Sequence, residues 1–115
     1  MPLERRTPLR PRAKGKGNAA EREVVDLLRA YGWTSARRNF ASGGYGGSDV
    51  VDGIPGVALE IKRQEACRIW SWIAQCEAAA KPTDTPIVVF RRNRSRWYGC
   101  LPLDDLLELL KLRET

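Results

Sequence analysis

Glu60 and Lys62 are the residues of this chain whose types and spacing point most directly to chemistry. They alternate within Val57-Ala58-Leu59-Glu60-Ile61-Lys62. A strand period of two sends Val57, Leu59 and Ile61 to one face and Ala58, Glu60 and Lys62 to the other. Three large aliphatics on one face mark a core-facing strand, so a carboxylate and an ammonium project together from a rigid element. Asp49, in Ser48-Asp49-Val50-Val51, sits on the preceding strand candidate, and a hairpin between the two strands would bring it close to Glu60. Two carboxylates and a lysine suit a hard divalent cation and an attacking water. Mg²⁺ takes oxygen ligands and keeps several waters, so two carboxylates and a substrate phosphate complete its shell. Such a metal acts as a Lewis acid on a phosphoryl oxygen and lowers the pKa of bound water. A lysine within reach orients that water and offsets the charge that develops. Taken alone the pattern is weak evidence, because Glu and Lys alternate on many exposed strands as surface pairs.

A second carboxylate stands where an apolar residue belongs. Glu21, Val24, Val25 and Leu28 fall at i, i+3, i+4 and i+7, so Glu21 lies within the apolar stripe of its helix while Glu23 faces the other way. A carboxylate aimed at the core needs a partner, because an unpaired buried charge is very costly. The alternative is an edge glutamate that serves only a capping box with Asn18 as the N-cap. The helix wheel alone leaves the two open.

The elements that would carry these residues follow from periodicity and breakers. A helix over about Ala19 to Tyr31 stops at Gly32, and Trp33 to Arg38 is a short extended segment. Ala41 to Gly47 has four glycines in seven residues and reads as a flexible loop. Ser48 to Asp52 and Val57 to Lys62 are strands joined by the turn Gly53-Ile54-Pro55-Gly56. Arg68 to Ala80 is a helix whose period sends Ile69, Trp70, Ile73 and Cys76 inward. Trp72 falls off that stripe, as an exposed aromatic suited to a dimer interface. Pro86 to Arg91 and Ser95 to Cys100 are strands, and Pro102 opens a last helix over Leu103 to Leu112. The order α-β-β-β-α-β-β-α implies an α/β fold in which a mixed β-sheet is flanked by helices.

Composition narrows the function further. The 115 residues hold no histidine, which excludes a Ser-His-Asp triad, a Cys-His pair and two-histidine zinc sites. Any catalysis must rest on carboxylates and lysine. Cys67, Cys76 and Cys100 are too few and too scattered for a disulfide framework, and are expected to be buried as small apolar residues. No apolar run approaches the length of a membrane span and no signal pattern opens the chain, so a cytoplasmic, membrane-free protein is expected. The net charge of +6 suggests a polyanionic partner. Most of the excess lies in Arg5, Arg6, Arg10, Arg12, Lys14 and Lys16, against Glu4 alone. Residues 1–17 therefore read as a basic, Pro-rich arm, disordered on its own, before a single domain over 18–115. The arm either tracks a nucleic-acid backbone or only solubilises. Arg91, Arg92, Arg94 and Arg96 cluster near Trp97 and Tyr98, as a phosphate-binding patch or a solvated hairpin tip.

Taken in order, these pieces resemble the PD-(D/E)xK nucleases, and within them the Holliday junction resolvases of archaeal type that also occur in phages. The residues concerned are Lys16-Gly17 and Glu21-Arg22-Glu23 opening the first helix, then Arg37 and Arg38 before a Ser/Gly loop. Ser48-Asp49-Val50-Val51 and Leu59-Glu60-Ile61-Lys62 follow, then a helix, the strand Ile87 to Phe90, the pair Trp97-Tyr98 and a leucine-rich end. Ser48 stands where the superfamily's name has proline. The resemblance spans about Lys14 to Leu112 and implies a restriction-endonuclease-like core. It also implies that Asp49 and Glu60 are metal ligands for Mg²⁺, with Mn²⁺ able to substitute. Glu21 becomes the helix-borne acid that bears on the metal or its waters, and Lys62 the catalytic lysine. Lys16, Arg37, Arg38, Ser42, Arg63, Arg92 and Arg94 become DNA contacts. A homodimer acting on four-way DNA junctions is the activity the resemblance implies. The alternatives are a nuclease for flaps, nicks or duplex, and a DNA-binding protein of the same fold that has lost catalysis; the intact set of Glu21, Asp49, Glu60 and Lys62 disfavours the last.

Overall fold

A computed structural model describes residues 18–40 and 47–114; the basic arm, with Lys16, and most of the Gly-rich loop, with Ser42, lie outside them. The first helix, α1, covers residues 18–30. It ends where Gly32 takes φ +110°, a conformation that costs a residue with a Cβ. There the Trp33 N–H donates to the Leu28 carbonyl at 3.0 Å, closing the last turn. Asn18 is already helical and its side-chain oxygen accepts a bond from Arg38 Nη2 at 2.7 Å. Its side chain is thus engaged by Arg38 and not by the expected N-cap bond.

Two short strands follow, β1 (Arg37–Arg38) and β2 (Val50–Val51), paired antiparallel with Arg38 opposite Val50. The expected hairpin between β2 and the next strand, β3 (Val57–Arg63), does not form as a ladder. One backbone bond and the side chains of Ser48 and Asp49 take its place along the β3 edge. Ser48 Oγ accepts from the Leu59 N–H at 2.8 Å, the Asp49 N–H donates to the Leu59 carbonyl at 2.8 Å, and Asp49 Oδ2 accepts from the Ile61 N–H at 2.7 Å. Once side chains satisfy the Leu59 and Ile61 N–H groups, those two donors need no backbone partner.

From β3 the chain crosses through α2 (Ile69–Ala79) to β4 (Thr85–Arg91), which lies parallel to β3; β5 (Tyr98–Cys100) then adds antiparallel to β4. The result is a mixed sheet in the order β3-β4-β5. Its two faces are covered by different helices. Leu59 and Ile61 pack with Val24, Val25 and Leu28 of α1, and Val88 packs with Trp72 and Cys76 of α2. This element order and sheet are those of a restriction-endonuclease-like fold, as expected.

Packing reverses the expected roles of the two tryptophans on α2. Trp72 is buried at 3% exposure, and Trp70 is exposed at 80%. Ile69, Trp72, Ile73 and Cys76 stand at i, i+3, i+4 and i+7, so Trp72 belongs to the inward stripe and Trp70 falls beside it. The cysteines also divide: Cys76 is buried, Cys100 partly buried and Cys67 exposed, all with free thiols. Cys67 precedes α2 in an exposed turn, where no apolar stripe draws it inward. The last helix, α3 (Leu103–Leu112), has Asp104 and Asp105 in its first turn and Lys111 in its last, which suits the helix dipole. No helix among the described residues is long and apolar enough to cross a membrane.

Candidate active site

The site grows from the β3 edge. Asp49 is 7% exposed, and its Oδ2 is fixed by the Ile61 N–H. That bond anchors the carboxylate beside Glu60, one residue before Ile61. Glu60 leaves the sheet on the face opposite Leu59 and Ile61, and Lys62 Nζ approaches its Oε2 at 3.4 Å. Asp49, Glu60 and Lys62 thus occupy one stretch of strand edge, joined by one backbone bond and two side-chain bonds in place of the expected hairpin ladder.

Burial and neighbouring acids both act on Glu60. Burial pushes the Glu60 carboxyl above its ordinary value, and the neighbouring Asp49 charge raises it further. The Lys62 charge and hydrogen bond oppose the shift, while Glu21 adds a smaller push upward. Glu21 therefore acts on the same centre through space. Its own partner is Arg38, whose Nε donates to Glu21 Oε1 at 3.0 Å. Arg38 also holds Asn18 and lies 4.8 Å from the centroid of the Phe40 ring. The anomaly on the apolar stripe of α1 is thus resolved by a guanidinium from β1.

Beneath the acids, Cys76 donates from Sγ to the Ala58 carbonyl at 3.4 Å. Burial pushes its thiol up to about 11, with the Glu60 charge as the second cause. It is an inert thiol and a packing residue.

The arginines expected to touch DNA have separate fates. Arg37 pairs with Asp52 at 3.1 Å on the surface, and Arg38 is committed to Glu21 and Asn18. Arg63 and Arg91 stand opposite one another in the β3–β4 register and share Glu23, each at 2.8 Å. Adjacent like charges on a sheet repel, and one carboxylate from α1 relieves both. Sequence reasoning missed this role for Glu23, which shows only as a charge off the apolar stripe. Arg63 and Arg91 each keep a buried Nε without a partner. Arg92 and Arg94 are exposed around the β4–β5 turn, where Arg94 takes φ +65°.

The comparison with family models now bears on this geometry. Residues 12–114 match the family described as "Phage putative PDDEXK endonuclease". The chain belongs to that family. The match spans the whole described region, including Asp49, Glu60 and Lys62, and nuclease activity is the function that membership supports. No curated protein and no solved structure matches the chain.

The residues fit a divalent cation as a two-carboxylate site. Asp49 and Glu60 bring two negative charges together at a partly buried edge, where burial first and the Asp49 charge second disfavour the ionised Glu60 carboxylate. A cation between them would favour the ionised form. No group of three acidic or thiol side chains is gathered for a metal among the described residues. Two carboxylates with water and phosphate oxygens nevertheless suffice for Mg²⁺. Glu21, whose Oε1 is held by Arg38, faces the same centre and acts on Glu60 through its charge.

Proposed function

We propose that this protein is a Mg²⁺-dependent DNA endonuclease that hydrolyses phosphodiesters in branched DNA, four-way junctions above all, as a homodimer. The observation that carries the catalytic reading is the convergence of Asp49, Glu60 and Lys62 on one edge of β3. Asp49 and Glu60 would hold the cation, with Mn²⁺ able to replace Mg²⁺. When bound, the metal supplies Lewis-acid polarisation of the phosphoryl oxygen. Lys62, 3.4 Å from Glu60, would donate a hydrogen bond to the attacking water or to the negative oxygens of the transition state. Glu21 adds negative field at the centre, and Arg38 limits its movement. The Ile61 N–H keeps the Asp49 carboxylate at the site, so positioning needs little reorganisation when substrate arrives.

The homodimer has support in the surface of α3. Leu103, Leu107, Leu109 and Leu110 are exposed on this helix, and a soluble monomer rarely shows so many aliphatics on one element. Its acidic first turn and basic last turn are complementary in an antiparallel pair about a two-fold axis. Two copies would present two cutting sites, which a four-way junction requires for paired incisions. Arg92 and Arg94, exposed and basic, are available for phosphate contacts. The basic arm would add further contacts whose strength falls with salt.

The test is a panel of end-labelled DNAs, comprising a four-way junction, a flap, a nicked duplex and a plain duplex, each with Mg²⁺ or with chelator. Paired cuts in the junction that need Mg²⁺ are expected. Equal cutting of plain duplex removes the junction preference and leaves a general nuclease. Absence of cutting on every DNA removes the catalytic reading.

A further inference from the structure

Beyond the acids, the same face of the sheet carries an aromatic cleft that the cutting chemistry does not use. The turn after β3, the start of α2 and the β4–β5 hairpin enclose a cavity of about 350 Å³, whose lining includes Gln64, Trp72, Phe90, Arg92, Ser95 and Tyr98. Trp72 and Phe90 stand with ring centroids 5.9 Å apart, and Phe90 and Tyr98 with centroids 6.4 Å apart. Trp72 is buried and fixes the stack from below, whereas Tyr98 is 56% exposed at its outer end.

The sheet register relates this cleft to the active site. Lys62 pairs with Phe90 and Phe90 pairs with Tyr98, so the three residues form one row across β3, β4 and β5. Paired residues share a face, which places the aromatic pair on the Lys62 side of the sheet. Two strand spacings, about 10 Å, separate the Lys62 and Tyr98 backbones. That is within reach of a nucleotide flanking a phosphate held at Lys62. The rim supplies the remaining chemistry. Gln64 is exposed and carries an amide donor and acceptor, Glu65 on the same rim accepts the Asn93 N–H at 2.7 Å, and the Arg92 side chain has no acidic partner among the described residues. An aromatic platform with an adjacent guanidinium is suited to a base and its phosphate.

We propose that this cleft receives an unstacked nucleobase of the substrate strand, next to the cut phosphodiester, with Tyr98 as the stacking surface and Arg92 on the neighbouring phosphate. The inference rests on the DNA-endonuclease reading and deepens it: the preferred substrate is DNA with an unpaired or easily unpaired nucleotide beside the cut, as at a branch point. Stacking accepts any base, so the cleft selects for structure and not for sequence.

The experiment measures binding of the full-length protein, in chelator so that no cutting intervenes, to a branched DNA and to versions with an abasic site at successive positions flanking the mapped cut. For wild type, one abasic position is expected to weaken binding about tenfold. Tyr98→Ala should weaken binding to the intact DNA by a similar factor and lose no more at the abasic position. Tyr98→Phe should behave as wild type, and thermal melts of both variants report whether the fold survives. Equal affinity of Tyr98→Ala and wild type for the intact DNA overturns the proposal. So does a Tyr98→Ala loss that is additive with the abasic loss. A change in sedimentation of Tyr98→Ala without any change in base dependence assigns the cleft to contact between copies of the chain, and also overturns it. Wild type that cuts branched DNA while failing these tests leaves the nuclease reading intact; wild type that neither binds nor cuts any DNA removes both.

Discussion

Asp49→Ala and Asp49→Asn should separate what this residue does for the fold from what it does for the metal. The carboxylate is 7% exposed, and its Oδ2 takes the Ile61 N–H at 2.7 Å. Alanine leaves that buried donor without an acceptor, at a cost of about 1–3 kcal/mol. For a chain of this length roughly 4 °C of melting temperature corresponds to each kcal/mol, so a fall of about 8 °C is expected. Asparagine keeps a carbonyl oxygen that can accept from Ile61 and removes the negative charge that crowds Glu60. Its melting temperature should stay within about 2 °C of wild type in chelator, on the scale of well-tolerated substitutions. Metal binding should report the other role. With free Mg²⁺ at about one hundred times its dissociation constant, a native-state site adds about 2.7 kcal/mol, which for this chain is a rise of roughly 10 °C. Wild type should show that rise, and Asp49→Asn should lose most of it. Differential scanning fluorimetry with a Mg²⁺ titration measures both quantities on the same samples. If Asp49→Asn falls as far as Asp49→Ala in chelator, the edge hydrogen bond is not what Asp49 contributes to the fold. If Asp49→Asn keeps the full Mg²⁺ response, the two-carboxylate metal site is wrong.

Lys62→Met should lower the cleavage rate by at least about a hundredfold, on the scale of a lost transition-state donor, while gel-shift affinity for branched DNA changes little; a variant that cuts normally would remove Lys62 from the mechanism. Glu60 titrates above its ordinary value of 4.5 in the native state, so its contribution to stability is present below that value and is lost as pH rises through the elevated native value. Glu60→Gln should therefore melt a few degrees higher than wild type at neutral pH in chelator, with the difference closing below pH 4.5, and a gap independent of pH would refute the assignment. Trp72→Ala should cost about 3–5 kcal/mol by urea unfolding, whereas Trp70→Ala should stay within about 0.5 kcal/mol; the opposite ranking would contradict the packing of α2. Leu107→Glu on the exposed face of α3 should convert a dimer to a monomer in sedimentation velocity without loss of helicity, and a dimer that persists would place the interface elsewhere.

Several features are legible in the amino-acid sequence alone. The alternation of Val57 to Lys62 gave the strand and the faces of Glu60 and Lys62, because strand direction is a local property with a period of two. The break in the apolar stripe at Glu21 announced a carboxylate in need of a partner, and Gly32 marked the end of α1. The last helix runs from Leu103 to Leu112, as Pro102 and its leucine repeat imply. Ile69, Trp70, Trp72, Ile73 and Cys76 allow more than one apolar stripe on α2, and only contact with Val88 and Phe90 selects Trp72 over Trp70.

What the sequence by itself determined is therefore the set of elements and the residue types available for catalysis: carboxylates and lysine, in a chain without histidine. Tertiary structure alone decided which groups meet. Ser48 and Asp49 replace a hairpin along the β3 edge, Arg38 goes to Glu21 and not to solvent, and Glu23 serves Arg63 and Arg91 together. Each of these pairings joins residues far apart in sequence, and each is chosen by the need to satisfy a buried donor or charge. Periodicity carries no record of that need, because it describes which way a side chain points and not what it finds there. The site on β3 depends on both: local alternation aims Glu60 and Lys62, and a long-range hydrogen bond brings Asp49 to them.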